Sequence, residues 1–297
     1  MAKPVAAKVA ELLAWVHERF VGAHLFYGHG TSNAWDEAVA LVLTHAGLAD
    51  TTENLNRVLP ADTVVEIKDL AMRRINERLP LPYLLGRCRY MGFEFKVVPG
   101  VVVPRSPIGG LLVDGVRPWL QDRPAQILDL CAGTGCLGII AAHMWPGAKV
   151  TLVEIDPLAA TLARHNVEAH GFSDRVIVIE ADVGSWRPDR AADLVITNPP
   201  YVQQMELASL PEEYRAEPEL GLAAGHDGLR VIEGILAAAQ AFVSQQGLLI
   251  GEVGASAPAL ISCFQGVPFI WPDLPRGGEG VFLLEGGASS SHTARHD

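Results

Sequence analysis

The stretch DLCAGTGCLG, residues 129–138, decides the fold because it joins an apolar strand pattern to a helical one. Gly133, Gly135 and Gly138 have the spacing G-x-G-x-x-G. Glycines at this spacing allow a tight turn, a close approach of the backbone to a ligand, and the start of a helix that faces the ligand. The stretch therefore predicts the first strand–loop–helix unit of an α/β sheet that binds a nucleotide-like cofactor.

From about residue 126 onward the chain alternates between short apolar runs and stretches of helical periodicity, such as 157–170 and 229–243. The predicted strands are 126–130, 149–154, 176–180, 193–197 and 247–252, with a closing pair near Phe269 and at 281–284. This order predicts a doubly wound, seven-stranded, Rossmann-like sheet that is largely parallel and has helices on both faces.

The first 80 residues have helical periodicity. One helical face is marked by Val5, Val9, Leu12 and Val16. A second helix is entered through the capping residue Asn33, and a third spans residues 63–78. These features predict a small N-terminal helical domain.

Pro80 and Pro82 stop the third helix and suggest a domain boundary at residue 80. Residues 81–104 then predict a β-hairpin link, because their apolar pattern changes to strand periodicity. The α/β sheet occupies residues 105–285. The Gly/Ser-rich tail, residues 286–297, predicts disorder.

Composition excludes several classes of protein. No apolar run approaches the ~20 residues of a membrane span, and the N-terminus predicts an amphipathic helix rather than a signal peptide, so we expect a cytoplasmic protein. The formal net charge of -11 argues against a nucleic-acid partner and favours a basic one. The four cysteines show no metal-ligand spacing, which indicates reduced structural thiols and no metal site.

Acidic residues after the strands distinguish the cofactor. Asp129 would repel a pyrophosphate but would hold the cationic amino-acid end of S-adenosylmethionine (SAM). Glu154 is placed to accept from ribose hydroxyls, and Asp182 from the adenine amine. The alternatives are a surface carboxylate at Glu154 and a turn or helix cap at Asp182.

The SAM site is therefore predicted to use the glycine loop and the ends of the neighbouring strands. Its residues are Asp129, Cys131, Ala132, Gly133, Thr134, Gly135, Glu154, Asp182, Val183 and Asn198.

The fourth strand ends in Asn198-Pro199-Pro200-Tyr201, which we predict to be the catalytic segment. The prolines stiffen the backbone, so the carbonyl of Pro199 and the side-chain carbonyl of Asn198 are two acceptors at fixed spacing. Two fixed acceptors suit an NH2 group, and Tyr201 offers a flat face to a planar amide or base. The alternative is a turn that merely ends a strand.

Several motifs resemble the HemK/Prm family of SAM-dependent N5-glutamine methyltransferases over residues 30–285. They are PYLLG (82–86), FKV (95–97), VPRSPI (103–108), ILDLCAGTGCLGI (127–139), NPPYV (198–202), LPEEYRAEPELGLAAGHDGL (210–229), GEVG (251–254) and GVFLL (280–284). VPRSPI, with the segment after NPPYV, resembles the branch that methylates large-subunit ribosomal protein three rather than the branch that methylates release factors.

The resemblance implies a role for each segment. Residues 1–80 would recognise the protein substrate, 81–104 would form a hairpin link, and 105–285 would be the SAM-dependent methyltransferase domain. Asn198 and Pro199 would hold the glutamine amide, and Tyr201 would pack against it. The expected substrate is large-subunit ribosomal protein three, with release factors as the alternative; we expect no membrane association or direct nucleic-acid contact.

One position departs from this branch, which usually has a glutamate before the next apolar pair, where this chain has Gly109-Gly110. We therefore assign Arg105 no catalytic role and leave open whether it anchors a loop or forms the pocket. Three other functions compete with glutamine methylation: N-methylation of an exocyclic amine in RNA or DNA, SAM binding by an assembly factor with little turnover, and an NAD enzyme. Asp129 is poorly placed for the last of these.

Overall fold

The computed structural model describes residues 5–288. The chain divides into two compact units. The first contains the described residues up to Cys88, together with Val97–Pro99 and Pro211–Ala216. The second contains Arg89–Lys96, Gly100–Leu210 and the described residues from Glu217 onward. The part of the predicted disordered tail beyond residue 288 lies outside the described residues.

The first unit is mainly helical. Its elements are β1 (Ala7–Lys8), α1 (Val9–Gly22), α2 (Ala34–Ala46), β2 (Val58–Leu59), α3 (Ala61–Glu77) and α4 (Leu81–Leu85). The two short strands pair in antiparallel fashion. Helix α2 begins at the predicted cap, since the Asn33 side chain accepts a hydrogen bond from the Asp36 backbone N–H at 2.9 Å. The three long helices bury a common core that includes Leu12, Val16 and Leu41.

Two local expectations for this unit are wrong. Val5 is 73% exposed because α1 begins only at Val9, so it does not continue the buried face. Pro82 does not prevent helix formation after α3. It lies in the first turn of α4, where the missing N–H of a proline costs no helical hydrogen bond.

A buried arginine holds the core of the first unit. Arg74 is 1% exposed, and its Nε donates to Glu37 Oε1 at 2.5 Å. Its Nη1 donates to Glu213 Oε1 at 3.3 Å and its Nη2 to the carbonyl of Phe26 at 2.9 Å. The guanidinium therefore joins α3 and α2 to segment 211–216, which comes from much later in the sequence.

A hairpin lies where the chain passes from the first unit to the second. Strands β3 (Arg87–Tyr90) and β4 (Phe93–Lys96) form a two-stranded sheet. Met91 and Gly92 connect them with φ values of 50° and 86°. Positive φ at both central residues is the backbone that tight hairpins require, which confirms the predicted hairpin.

The second unit alternates strands with helices. Its main elements are α5 (Ile108–Val113), β5 (Gln126–Leu130), α6 (Cys136–Met144), β6 (Lys149–Glu154), α7 (Pro157–Ala169), β7 (Val176–Glu180), β8 (Ala192–Thr197), α8 (Arg230–Ala237), α9 (Ala239–Phe242), β9 (Val243–Glu252), α10 (Ala257–Cys263) and β10 (Val281–Glu285). The strand order is β10-β9-β8-β5-β6-β7. Every pairing is parallel except that of β10 with β9.

The predicted Rossmann-like fold is confirmed, with one difference in the number of strands. Around Phe269 the chain makes only an isolated bridge between Ile270 and Leu283, so the sheet has six strands among the described residues instead of seven. Leu194, Val195 and Ile196 of β8 are buried completely, as expected for a central parallel strand with both faces covered. None of the helices in residues 5–288 is long and apolar enough to cross a membrane.

Arg74 should be essential to the stability of the first unit. We expect Arg74→Met to lower the free energy of unfolding by about 3–5 kcal/mol, because it leaves the buried carboxylate of Glu37 without its cation and leaves Glu213 with Arg78 alone. The neighbouring substitution Arg73→Met is the matched control, since its pair with Glu77 is exposed and should be worth under about 1 kcal/mol. Urea denaturation measures both variants, and equal losses of stability would contradict the assignment.

Candidate active site

The carboxyl ends of four neighbouring strands carry polar side chains. Asp129 lies near the end of β5, and Glu154, Thr197 and Glu252 end β6, β8 and β9. These strands are adjacent and parallel in the order β9-β8-β5-β6, so their ends meet at one edge of the sheet. Ligands of open α/β sheets bind at this edge, and the glycine loop and NPPY both leave the sheet there.

The glycine loop has the backbone that a close ligand contact requires. Cys131, Gly133 and Gly135 have φ values of 60°, 56° and 78°. A Cβ added to Gly138 would lie 2.2 Å from Leu152 Cδ2, so only glycine lets α6 pack this closely on β6. Cys131 occupies a left-handed position that favours glycine, at a cost of order 1–2 kcal/mol.

Asp129 lies beneath the loop. It is 1% exposed, and its Oδ2 accepts from the Gly138 N–H at 2.8 Å. Burial raises the pKa of Asp129 to about 8, although the hydrogen bond from Gly138 lowers it. The Asp129 carboxyl group therefore holds the first turn of α6 against the end of β5. Its predicted contact with the amino-acid end of SAM stays a prediction.

Glu154 supports the same loop from the neighbouring strand. Its Oε2 accepts from the Gly133 N–H at 2.7 Å and its Oε1 from the Asp156 N–H at 2.9 Å. Burial raises the pKa of Glu154, and these backbone N–H groups oppose the shift. Glu154 is 8% exposed, so it is not a freely solvated surface carboxylate. Each oxygen keeps a lone pair that can accept from a ribose hydroxyl.

Asp182 and Val183 follow β7. The Asp182 carboxylate is exposed and accepts from the Gly184 N–H at 2.8 Å, which forms the turn named as its alternative role. Val183 is 9% exposed and packs in the core of the second unit. A contact of Asp182 with the adenine amine stays a prediction.

The NPPY segment contains an unsatisfied acceptor. Asn198 Oδ1 is buried and has no hydrogen-bond partner among the described residues. The preceding residue is fixed, since Thr197 Oγ1 donates to the carbonyl of Leu130 at 3.0 Å. A buried amide oxygen without a donor costs about 1–3 kcal/mol. The site therefore has a place for an N–H donor at Asn198.

Tyr201 is held by a buried network that the sequence alone did not reveal. Its hydroxyl donates to Glu252 Oε1 at 2.9 Å, and Ser106 Oγ donates to Glu252 Oε2 at 2.5 Å. Burial raises the pKa of Glu252, whereas both hydroxyl hydrogen bonds and the coulombic effect of Arg105 lower it. Ser106 and Glu252 lie within VPRSPI and GEVG, so the network joins these motifs to NPPY.

The backbone around Tyr201 is also fixed. Ser256 Oγ donates to the carbonyl of Tyr201 at 3.0 Å. A Cβ on Gly254 would lie 2.6 Å from Tyr201 Cε2, so the ring packs directly on this backbone. Val202 exchanges hydrogen bonds with Leu222 and Ala224, at 2.8 and 2.9 Å. Tyr201 is therefore positioned from both sides of the segment.

Arg105 anchors a loop. Its Nη1 and Nη2 donate to the two oxygens of Glu217 at 2.5 and 2.7 Å. The same carboxylate accepts from the Val103 N–H at 3.0 Å. Of the two roles left open for Arg105, these bonds support the loop anchor.

The Gly109-Gly110 departure has two structural consequences. A Cβ on Gly109 would lie 2.0 Å from Tyr90 Oη, so no side chain fits there. A Cβ on Gly110 would lie 3.0 Å from Cδ of Arg276. The flexible side chain of Arg276 crosses this position, and its Nη2 donates to Asp114 Oδ1 at 3.0 Å. The space beside Gly110 therefore holds the aliphatic stem of Arg276.

Metal ligation finds no support in the part of the chain that the structure describes. No group of three or more His, Cys, Asp or Glu side chains there could hold a metal ion.

Asp129 should make the stability of the protein pH-dependent. Its folded pKa lies above the ordinary value of 3.8, so the wild type should lose stability as the pH rises from there through about 8. Asp129→Asn keeps an acceptor for the Gly138 N–H, and its neutral amide cannot ionise as the pH rises. We expect the melting temperature of Asp129→Asn to exceed that of the wild type, and the difference should widen as the pH rises over this range. Each kcal/mol of stability that the wild type loses should add roughly 2–4 °C to the difference.

Thermal unfolding at several pH values measures this gap. Asp193→Asn is the control, because the Asp193 carboxylate also accepts backbone N–H groups, from Ala125 and Gln126, but is only half-buried. A gap for Asp129→Asn that stays constant or narrows with rising pH would contradict the assignment.

Comparison with known proteins agrees with this geometry. The family model of the methyltransferase small domain matches residues 113–212. Ribosomal protein uL3 glutamine methyltransferase of Francisella tularensis is 37% identical, over 93% of this chain and 89% of its own length. The protein of the same name in Bordetella pertussis is 39% identical, over 92% of this chain and 93% of its own length.

Solved structures that are similar include TrmN from Thermus thermophilus, 20% identical over 61% of this chain and 50% of its own, with a TM-score of 0.41. The ribosomal protein L11 methylase of Lactobacillus delbrueckii is 15% identical over 59% of this chain and 74% of its own, with a TM-score of 0.40. The relatives from Francisella and Bordetella confirm the resemblance to glutamine methyltransferases over nearly the whole chain. This chain belongs to the family of ribosomal protein uL3 glutamine methyltransferases, which use SAM as the methyl donor.

Proposed function

We propose that this protein transfers a methyl group from SAM to the side-chain amide nitrogen of a glutamine in ribosomal protein uL3, the large-subunit ribosomal protein three. The observation that carries the proposal is the buried, unpartnered Oδ1 of Asn198 at the end of β8. Both curated relatives bear the name of this activity and match more than nine-tenths of the chain. We place the reaction in the cytoplasm, where ribosomal proteins are made.

The residues at the strand ends fit SAM. The loop of Gly133 and Gly135 presents backbone at the start of α6, and Glu154 lies beside it with lone pairs for ribose hydroxyls. Asp182 is exposed just beyond β7, where it can accept from the adenine amine. When bound, SAM supplies a methyl group on a positively charged sulfur.

The acceptors of NPPY explain how an amide nitrogen becomes reactive. Its lone pair is delocalised into the carbonyl group, so the nitrogen is a poor nucleophile. Asn198 Oδ1 and the carbonyl of Pro199 would each accept one N–H of the glutamine NH2, which directs the nitrogen lone pair toward the donor methyl. The new N–C bond would form as the bond between the methyl group and the positively charged sulfur breaks, and one of these protons would be released to water. Positioning at ~3 Å can lower the barrier by several kcal/mol.

Tyr201 would pack its ring against the planar amide. Its position is set by Glu252 through the hydroxyl and by Gly254 beneath the ring. The network thus holds the aromatic face in place before the substrate binds. The preorganised geometry avoids an entropic cost during the reaction.

Mass spectrometry of uL3 tests the proposed function. Incubation with the wild-type protein and SAM should add the mass of one methyl group to a glutamine peptide. Asn198→Ala should lower the rate by ~100-fold or more, because one N–H of the amide loses its acceptor. If the wild type leaves uL3 unchanged but methylates a release factor or an RNA, the substrate assignment is wrong and the corresponding alternative is right.

The same variant tests the assembly-factor alternative. Asn198→Ala should still bind uL3 in a titration, since most of the protein–protein contact is unaffected. A wild type that binds uL3 but shows no turnover would support an assembly factor instead of an enzyme.

Tyr201→Phe should lower kcat and leave the KM for SAM nearly unchanged. The loss should be about 10-fold, because a hydrogen bond to a buried carboxylate is worth ~1.5 kcal/mol or more. Tyr27→Phe is the control, since the Tyr27 hydroxyl has no partner among the described residues. If Glu252 acts through Tyr201, the double variant Tyr201→Phe/Glu252→Gln should be no worse than the poorer single variant. Additive losses in kcat would exclude this coupling.

A further inference from the structure

We propose that an open groove in the first unit binds a basic, extended segment of the protein substrate. The groove has a volume of about 640 Å³ and lies between α1, α2 and the chain at residues 50–55. The inference rests on the proposed function, because it takes a ribosomal protein as the substrate. It adds a second substrate-binding surface, which is separate in sequence from the glycine loop and NPPY.

The lining of the groove is suited to a peptide. Leu13, Val39 and Leu43 contribute apolar side chains. Trp35 and Leu55 also line the groove, and they are 48% and 37% exposed. An indole exposed to this degree beside apolar side chains is typical of a surface that a partner covers, since Trp is enriched among the residues that dominate interface energies.

The acidic charge of the groove lining favours a basic partner. Asp36 and Asp50 line the groove, and none of the described residues lining it is a Lys or Arg. Asp36 already accepts from the side chains of Ser32 and Asn33. Asp50 takes part in no hydrogen bond or ion pair within residues 5–288. A carboxylate without a partner and an exposed indole that line the same groove suit a basic segment, whose Lys or Arg side chains can pair with Asp50 and stack on Trp35.

A basic segment fits this surface better than a second copy of the chain. The chain has a formal net charge of -11, so a second copy would be repelled at long range. Proteins that bind ribosomal RNA neutralise phosphates with Lys and Arg, and their segments are therefore basic before assembly. The charge of the groove and the charge of such a substrate are complementary.

Two variants of the groove test the proposal. The assay compares full-length uL3 with a short peptide that spans the methylated glutamine. Asp50→Lys and Trp35→Ala should each raise the KM for full-length uL3 by ~10-fold, which corresponds to about 1.4 kcal/mol, and change kcat little. The kcat/KM for the short peptide should be the same in both variants and in the wild type, because the peptide lacks the segment that the groove binds.

Glu18→Lys is the matched control, since it makes the same charge change at an exposed residue outside the groove. It should leave both substrates unaffected. Raising the salt concentration should increase the KM for full-length uL3 in the wild type and much less in Asp50→Lys.

Three outcomes would overturn one of the proposals, and they can be told apart. If both groove variants keep the wild-type KM for uL3, the groove does not bind the substrate. If the groove variants lower kcat/KM for the short peptide as much as they lower it for full-length uL3, the groove serves folding or the catalytic step. If the wild type does not methylate uL3, the proposed function fails. Calorimetric titration of uL3 into the wild type and into Asp50→Lys then tests the groove separately from activity. Equal affinities of the two proteins for uL3 would exclude binding of uL3 in the groove.

Discussion

Burying an acidic side chain is costly unless hydrogen-bond donors surround it, and this constraint organises the second unit. Asp129, Glu154 and Glu252 lie at the ends of β5, β6 and β9, and each is under 9% exposed. Asp129 accepts from an N–H in the first turn of α6, Glu154 from an N–H of the glycine loop, and Glu252 from the hydroxyls of Ser106 and Tyr201. The loops that form the site are therefore fixed by the acids beneath them.

Asn198 differs from these groups. The neighbouring carboxylates all have donors, whereas Asn198 Oδ1 has none among the described residues. Its surroundings cannot relax to satisfy it, because Thr197 is bonded to Leu130 and Pro199 has a restricted backbone. The unsatisfied oxygen is thus maintained by the rigidity of its neighbours, and a planar NH2 group is the donor that suits it.

The segment after NPPY serves both units. Glu213 belongs to the first unit, where it accepts from Arg74 and Arg78. Glu217, four residues later, belongs to the second and holds Arg105. Two acidic residues in one short stretch therefore fix different parts of the protein, which gives a physical reason for the acidic composition of LPEEYRAEPELGLA.

The sequence alone determined the strands, the glycine loop and the helix cap at Asn33, because each depends on residues close together in the chain. Only the tertiary structure decided what Ser106 and Glu252 do, since they are 146 residues apart and neither motif reveals its partner. It also showed that Asp129 is buried and accepts from the Gly138 N–H, and it reduced the expected seventh strand to one bridge at Ile270. Burial and long-range pairing depend on how distant segments pack, and the local periodicity of the sequence does not specify that packing.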